Sequence, residues 1–569
     1  MFLRKEKRKD RIYLSIVHGY REKDTGKSKQ KTMKTLGYLD ELEKEYEDPI
    51  SYFTQLAKNM TEEYNSKHKP VTLEINPNKT LNPGTDLTKN FGYAALSKIY
   101  HELELNTFFQ IKQRDLDIAF HLNSVAKLLF YGRVIFPGSK KSTFEQKDRL
   151  FDRTEFSLDD VYRFLTYLSR YEKPLQKWIH EKISAKYGRD TSLMYYDVTN
   201  YYFEIDETDD LRKKGVSKEH RPDPIVQMGM FIDNNGLPVS YDLFSGNTND
   251  VTTLRPALKN AKDNIGAGKV IVVADKGINS GDNLYYTLSG KNGYVVSMSI
   301  RGASKEIKDY VLEDEGYIYQ GEEYKCKSRL CPRQINVTMS SGRKKKVSVD
   351  EKQVVFYSDK YAKRAKAERE TALLKANDLI SSPGKYNRST SYGAAKYIQN
   401  ISYDKETGEI LEGESDLYLN EELIKEEEKF DGYYMIVTSE MDKSDGEIID
   451  IYRGLWRIEE SFKITKSSLT ARPVYVSRED HIHAHFLTCF VALTLTRILE
   501  MKIGRKYCVN QIIQSLRKSN YTHLEQNYYV LGYFDDVLNE IGNVTGIDFS
   551  KKYRTLSEIK KITGYSKKG

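Results

Sequence analysis

Alternating apolar and polar positions mark the first element of the chain. Ile12–Val17, a turn around Asp24–Gly26 and Thr32–Leu39 predict a small β unit. From about residue 90 to 185 the period becomes helical, most clearly over His121–Tyr131 and Leu158–Leu168. Ser157 and Asp160 form a capping-box pattern before the second of these. Between them, Phe136–Pro137–Gly138–Ser139–Lys140–Lys141 reads as a polar, basic break. At Ser192 strands take over. Leu193–Phe203 is rich in Tyr, Val and Phe; Ile225–Ile232, a turn at Asp233–Gly236 and Leu237–Phe244 predict a hairpin. A helix over about Val251–Lys262 precedes the run Lys269–Ala274, whose continuous apolar character fits a buried parallel strand. Gly281–Leu288 then predicts a helix and Tyr294–Ile300 a further strand.

Residues 305–430 leave this pattern. Short strands are predicted at Tyr317–Tyr319, Val347–Val349 and Val354–Tyr357, with a basic helix near Lys360–Ile380, so the segment reads as a β-rich insertion. The earlier pattern resumes with a strand at Tyr433–Thr438. A helix through Ile448–Lys466 follows, opened by Ser444 and Glu447 as a capping box. The resulting division is 1–80, a basic β unit and linker; 81–190, a helical region; 191–304, the first part of an α/β core; 305–431, the insertion; 432–500, the second part of the core; and 501–569, a helical basic tail.

Composition narrows the class. The chain has 569 residues, 39% hydrophobic and 30% charged, which excludes disordered and collagen-like proteins. The apolar stretch Phe486–Thr496 is about half a bilayer span and ends at Arg497. Met1–Phe2–Leu3 runs into charge without a signal-like apolar region, so a cytoplasmic, nucleoid-associated protein with no membrane partner is expected. Four scattered cysteines suit unpaired thiols. Neither a GxxxxGK[ST] loop nor a GxGxxG in strand–helix context is present, which argues against a nucleotide-driven motor. The net charge of +8 is unevenly placed. Residues 1–40 carry +7 and residues 551–569 carry +6, leaving −5 between them, with 12 acids against 3 bases in residues 404–431. Basic ends of this kind fit phosphate-binding arms, because cationic side chains release DNA counterions on binding.

Three acids occupy positions where a metal site could form. Asp197 lies among β-formers inside the first core strand, Asp275 at the carboxyl end of the Lys269–Ala274 run, and Glu459 within the resumed helix. Carboxylates are hard donors suited to Mg²⁺, and a metal pair can serve phosphoryl transfer. At 100° per residue, Tyr452, Lys463 and Lys466 fall within about 40° of Glu459 on that helix, a stripe able to hold metal and phosphate together. Trp456 and Phe462 read as core anchors. Lys218, His220 and Arg221 form a polar loop able to contact DNA, and Arg343, Lys344, Lys345 and Lys346 form a basic cluster in the insertion. His481, His483 and His485 lack a neighbouring Glu for HExxH chemistry and fit packing or DNA-proximal roles better than a metal site.

The spacing of Tyr452, Glu459 and Lys466 resembles the Tyr-x2-Arg-x3-Glu-x6-Lys signature of hairpin-forming, cut-and-paste DDE transposases of the bacterial insertion-sequence-4-like group. Tyr196–Thr199 and Val273–Gly277 resemble the blocks of that family's first and second aspartates, and Gly246–Asn247–Thr248 a short motif between them. The blocks occur in order over roughly residues 192–300 and 430–500. The resemblance implies an α/β, RNase H-like catalytic core interrupted by a largely β insertion, with an N-terminal DNA-binding region and a helical C-terminal tail. It implies Asp197, Asp275 and Glu459 as catalytic and metal-binding residues, with two Mg²⁺ per site and Mn²⁺ as a substitute. Tyr452, Lys463, Lys466, Lys218, Arg221, Arg343, Lys344, Lys345 and Lys346 are expected on DNA. The partners implied are double-stranded DNA (transposon ends and target) and a second subunit in a homodimer on DNA. One departure stands out: the signature's arginine falls on Leu455, and Arg453 and Arg457 are about 200° round the helix from it. A metal-dependent nuclease on the same fold, or an inactive transposase-derived DNA-binding protein, are the alternatives.

Overall fold

The computed structural model describes the chain except residues 22–27, 67–72, 75, 153, 216–217, 219–221, 267, 340, 383–392, 400–401, 404–409, 412–416 and 569. It divides into two compact units, 1–81 and 82–569. In the first, Phe2–Arg8, Arg11–Arg21 and Ser28–Tyr38 form an antiparallel sheet in that order. The helix Pro49–Ser66 follows it, and Leu14, Leu42 and Phe53 are the buried centre. The expected turn at Asp24–Gly26 lies outside the described residues.

The second unit is mixed α/β, built on a nine-stranded sheet. From one edge its strands are Ile318–Gln320, Tyr324–Leu330, Lys352–Tyr357, Tyr433–Thr438, Gly293–Met298, Ile271–Ala274, Leu193–Tyr202, Ile225–Asp233 and Pro238–Ser245. Leu193–Tyr202, Ile271–Ala274 and Gly293–Met298 run parallel, and the other neighbours pair antiparallel. Three strands from residues 305–431 thus extend the central sheet, because Lys352–Tyr357 is apolar enough to be buried beside Tyr433–Thr438. Side chains alternate between two faces, as the strand period requires. Met194, Tyr196, Val272, Ala274 and Val296 belong to the core beneath the helix Asp250–Ile265. Tyr195, Val273 and Val295 join the larger core that includes Ile448, Ile458 and the long helix Glu479–Lys502.

That long helix has the length and hydropathy of a membrane span, but 94% of its apolar window is buried inside the protein. It is a core helix: its apolar residues point in every direction because other elements surround it.

The C-terminal segment differs from the expected helical tail. Asn520–His523, Tyr528–Leu531 and Tyr553–Thr555 join Thr88–Asn90 in a four-stranded sheet, alongside the helices Val509–Lys518, Asp536–Thr545 and Leu556–Tyr565. Strands of three or four residues are too short to carry a readable alternation. Its charges are partly tied back into the fold, through Lys551–Glu558 at 2.6 Å, Arg554–Asp548 at 2.7 Å and Lys567–Asp152 at 2.6 Å. The described end of the acidic stretch is paired in the same way. Glu426 meets Lys308, Glu427 meets Lys396, Glu428 meets Arg369, and Asp431 meets both Arg301 and Arg369. Its residues 404–409 and 412–416 lie outside the described residues.

Candidate active site

Strand register brings the first two acids together. Leu193 pairs with Ile271, Met194 with Val272 and Tyr195 with Val273. Continued two steps, this parallel register sets Asp197 beside Asp275 on the same face, with adjacent strands about 4.8 Å apart. On the other side Val273 pairs with Val295, which brings Ser297 abreast of Asp275. The Ser297 hydroxyl donates to Asp275 Oδ1 at 2.8 Å, and the Tyr452 hydroxyl donates to the same oxygen at 3.2 Å. Two donors on one oxygen fix the carboxylate's rotamer. Burial and the Asp275 charge push the Tyr452 phenol upward, so it remains a donor.

The third acid arrives from the helices that cover this face. The capping box of Ser444 and Glu447 forms as expected and opens the helix Asp445–Arg453. The single helix expected through Lys466 is broken, however. A turn at Gly454 separates Asp445–Arg453 from the helix Trp456–Lys463, which passes into a π-turn over Ile464–Ser468. At the first break the chain passes close over a tyrosine. A Cβ at Gly454 would lie 2.6 Å from Tyr195 Cζ, so only glycine lets the chain pass over that ring. Gly454→Ala should therefore destabilise the fold by about 1–3 kcal/mol in urea denaturation, as overpacking does, despite alanine's better helix propensity.

Two adjacent glutamates on the second helix have different fates. Glu460 is held by the buried guanidinium of Arg497 at 2.9 Å, and Arg497 also donates to Ser461 Oγ at 2.9 Å. Glu459 is exposed and lines a cleft of about 420 Å³ together with Asp275, Tyr452 and Leu455. Tyr434, Arg301 and Arg364 also line this cleft. Phe462 is buried as expected, but Trp456 is 55% exposed and is not a core anchor, since the break at Gly454 turns it away from the sheet.

The other two carboxylates act on Asp197. Its pKa is pushed up to about 6, chiefly by burial, against Lys218 and the Val198 amide, with smaller upward contributions from the charges of Asp275 and Glu459. A buried acid repelled by two others is a poor ion pair and a good cation donor. Hard oxygen donors of this kind fit Mg²⁺ or Mn²⁺. The acids share a field without forming a closed shell: among the described residues no three His, Cys, Asp or Glu side chains stand together as a metal-holding group.

The expected DNA-facing residues fall in three places. Lys466, in the π-turn, sits 5.5 Å over the Tyr201 ring, and Tyr201 anchors that turn through a 2.8 Å hydrogen bond with Thr465. Burial and Lys218 push its pKa down to about 8 against the pull of Asp197. The π-turn thus brings Lys466 beside Asp197 instead of keeping it in the α-helical stripe with Glu459. Lys218 donates to the Val198 carbonyl and lies 3.8 Å from Asp250. Its neighbours His220 and Arg221 are outside the described residues. Lys463 is exposed one turn beyond Glu459. Arg343, Lys344, Lys345 and Lys346 are exposed on the hairpin Arg333–Thr338 and Lys344–Val349, seated where the Asn336 backbone packs against Gly281 and the Thr338 amide donates to Asp282 at 2.6 Å.

Leu455 is buried at 7% exposure. Arg453 stacks on Tyr324 at 4.5 Å and Arg457 donates to the Asn234 carbonyl at 2.8 Å, so both are engaged elsewhere. The three histidines have separate partners. His481 meets Thr166, His483 meets Glu172 at 2.8 Å, and His485 meets the Ala471 carbonyl at 2.9 Å. All four cysteines are free thiols. Sequence reasoning missed Ser297, Tyr434 and Arg364; only the first follows a rule, the parallel register, and that needs the strand order.

Residues 213–495 match the transposase DDE domain, and residues 3–71 match the N-terminal domain of IS1634 family transposases. No curated protein matches the chain significantly. Among solved structures, the piggyBac transposase synaptic complex with hairpin DNA is similar at 10% identity and a TM-score of 0.34, over 75% of this chain and 79% of that one. The two domain matches support a DDE transposase.

Proposed function

For a chain that carries a transposase DDE domain and an IS1634 family N-terminal domain, we propose the activity of a DNA transposase that cleaves element ends and joins them to a target. The observation that carries this reading is the parallel register that sets Asp197 beside Asp275 on one face, with Glu459 from the covering helix in the cleft that Asp275 lines. The catalytic core is RNase H-like, opened by residues 305–431 before Glu459. The spacing of Tyr452, Glu459 and Lys466 keeps its likeness to the insertion-sequence-4-like group.

Asp197, Asp275 and Glu459 would hold two Mg²⁺, which when bound activate a hydroxyl nucleophile and neutralise the leaving oxygen in phosphoryl transfer. Ser297 and Tyr452 orient Asp275. Lys466 and Lys218 set positive charge beside Asp197, where a phosphate must approach an acidic surface. Water opens a phosphodiester at the element end, and the freed 3′-hydroxyl then attacks a second phosphodiester. The two steps are equivalent in-line displacements, so one site serves both. The hairpin of Arg343–Lys346 and the basic N-terminal unit hold the flanking duplex through its phosphates. Two subunits on DNA pair two ends, and the cytoplasm gives access to the nucleoid.

The test is purified chain with Mg²⁺ and duplexes from the borders of its own coding segment. Joined strand-transfer product is expected. Cleavage without joining would indicate a nuclease, and binding without cleavage an inactive DNA-binding protein. Inverted repeats at those borders, flanked by short direct repeats, are expected in the surrounding DNA.

A further inference from the structure

The acidic cleft raises a question of charge: which cation receives the phosphate on the side away from Lys466? On the core side the cleft presents Lys276, next to Asp275, with Leu455 and Tyr452, while Arg453 and Arg457 are engaged elsewhere. The helix Asp359–Ser381, from the segment between the two halves of the core, also lines the cleft. Two arginines reach the cleft, Arg364 from that helix and Arg301 from the turn after Gly293–Met298. Arg301 is taken up by Asp431 at 2.9 Å and Glu427 at 3.9 Å. Arg364 is different: its side chain is 73% exposed, and its ion-pair partner is Glu368, one turn along the same helix at 2.8 Å.

Resting on the transposase reading, we propose that Arg364 is the guanidinium that binds the DNA phosphate next to the cleaved bond, and that Glu368 covers it until DNA arrives. An exposed i,i+4 pair is among the weakest ion pairs in proteins, so a phosphate exchanges for it readily. A guanidinium can also donate two parallel hydrogen bonds to phosphate oxygens. The position is suitable: Glu459 and Tyr434 lie within the field of Arg364, and Tyr434 lies within that of Asp275. Arg364 lines the same cleft as Asp275 and Glu459, from a different element. A phosphate in the cleft would meet both carboxylate-bound cation and guanidinium. The insertion would then close the site as well as extend the sheet.

Two measurements test this separately from the functional reading. Duplex binding in the presence of a chelator, followed over a salt series, should lose about 0.9 from the slope of log K against log salt in Arg364→Ala, the loss of one phosphate contact. An unchanged slope overturns the proposal. Single-turnover cleavage with Mg²⁺ should be ten- to a hundredfold slower in Arg364→Ala, with Arg364→Lys in between because its point charge keeps attraction without the fork. Equal rates in a wild-type preparation that cleaves overturn the proposal and leave the transposase reading intact. A wild type that binds but never cleaves overturns the transposase reading, while the slope still decides the role of Arg364. Glu368→Gln should bind DNA more tightly; weaker binding would overturn the covering role.

Discussion

Asp275→Ala should slow metal-dependent DNA cleavage by more than about a hundredfold, with duplex binding in chelator largely retained. The magnitude follows from its place at the site. Loss of a residue that merely supports a metal ligand costs roughly 10–100-fold, so loss of Asp275, in its proposed role as a ligand, should exceed that. The same reasoning ranks three variants. Ser297→Ala removes a 2.8 Å donor from Asp275 Oδ1, and Tyr452→Phe removes a 3.2 Å donor from the same atom. Each should fall between wild type and Asp275→Ala, and the double variant should approach the aspartate loss because the carboxylate is then free to rotate. Undiminished cleavage in Asp275→Ala would remove it, and with it the register argument, from the active site.

Asp197→Asn should abolish cleavage and yet stabilise the metal-free protein at neutral pH. The Asp197 pKa in the folded protein, about 6, lies above the ordinary value of 3.8, because burial and two neighbouring carboxylates oppose its charge. Below about pH 3 the acid is mostly neutral both folded and unfolded, and it carries little penalty. As pH rises toward and through about 6, the unfolded chain ionises first and the folded state loses stability relative to it. The full shift corresponds to at most about 3 kcal/mol, at roughly 1.4 kcal/mol per pH unit. Asparagine removes that penalty, so urea denaturation in chelator should show the variant ahead at pH 7–8 and level with wild type near pH 3. Added Mg²⁺ should narrow the gap at pH 8 by stabilising only the wild type. A variant less stable at every pH would mean that Asp197 is a structural acid.

The strands from Leu193 to Met298 and the capping boxes at Ser157 and Ser444 were legible along the chain, because alternation, turn residues and caps are local signals. So were the three acids as candidates and the basic hairpin residues. The two departures on the helix of Glu459 were not legible, since both sit against residues far away in the chain. Tyr195 leaves room only for glycine at Gly454, and Tyr201 meets the π-turn through Thr465. Those two tyrosines, on one face of the strand that bears Asp197, decide where Glu459 and Lys466 arrive. Glu459 was named by its spacing from Tyr452 and Lys466, but the separate fate of Glu460 needed Arg497, some forty residues away, which occupies it and leaves Glu459 to the cleft.

By itself, then, the sequence determined the residue types of the chemistry, their order and the elements that carry them. Those are properties of short windows, where local propensity and periodicity act. Only the tertiary structure decided which carboxylates share a field, which arginines are engaged and which remain able to exchange partners. These depend on strand order, parallel register and the packing of elements far apart in the chain, and Coulomb interactions act on distance in space and not on separation in sequence. The charge balance shows the same division. Its total of +8 was fixed by composition, whereas the pairing of Lys551, Arg554 and Lys567, and of the acids from Glu426 to Asp431, came from the fold.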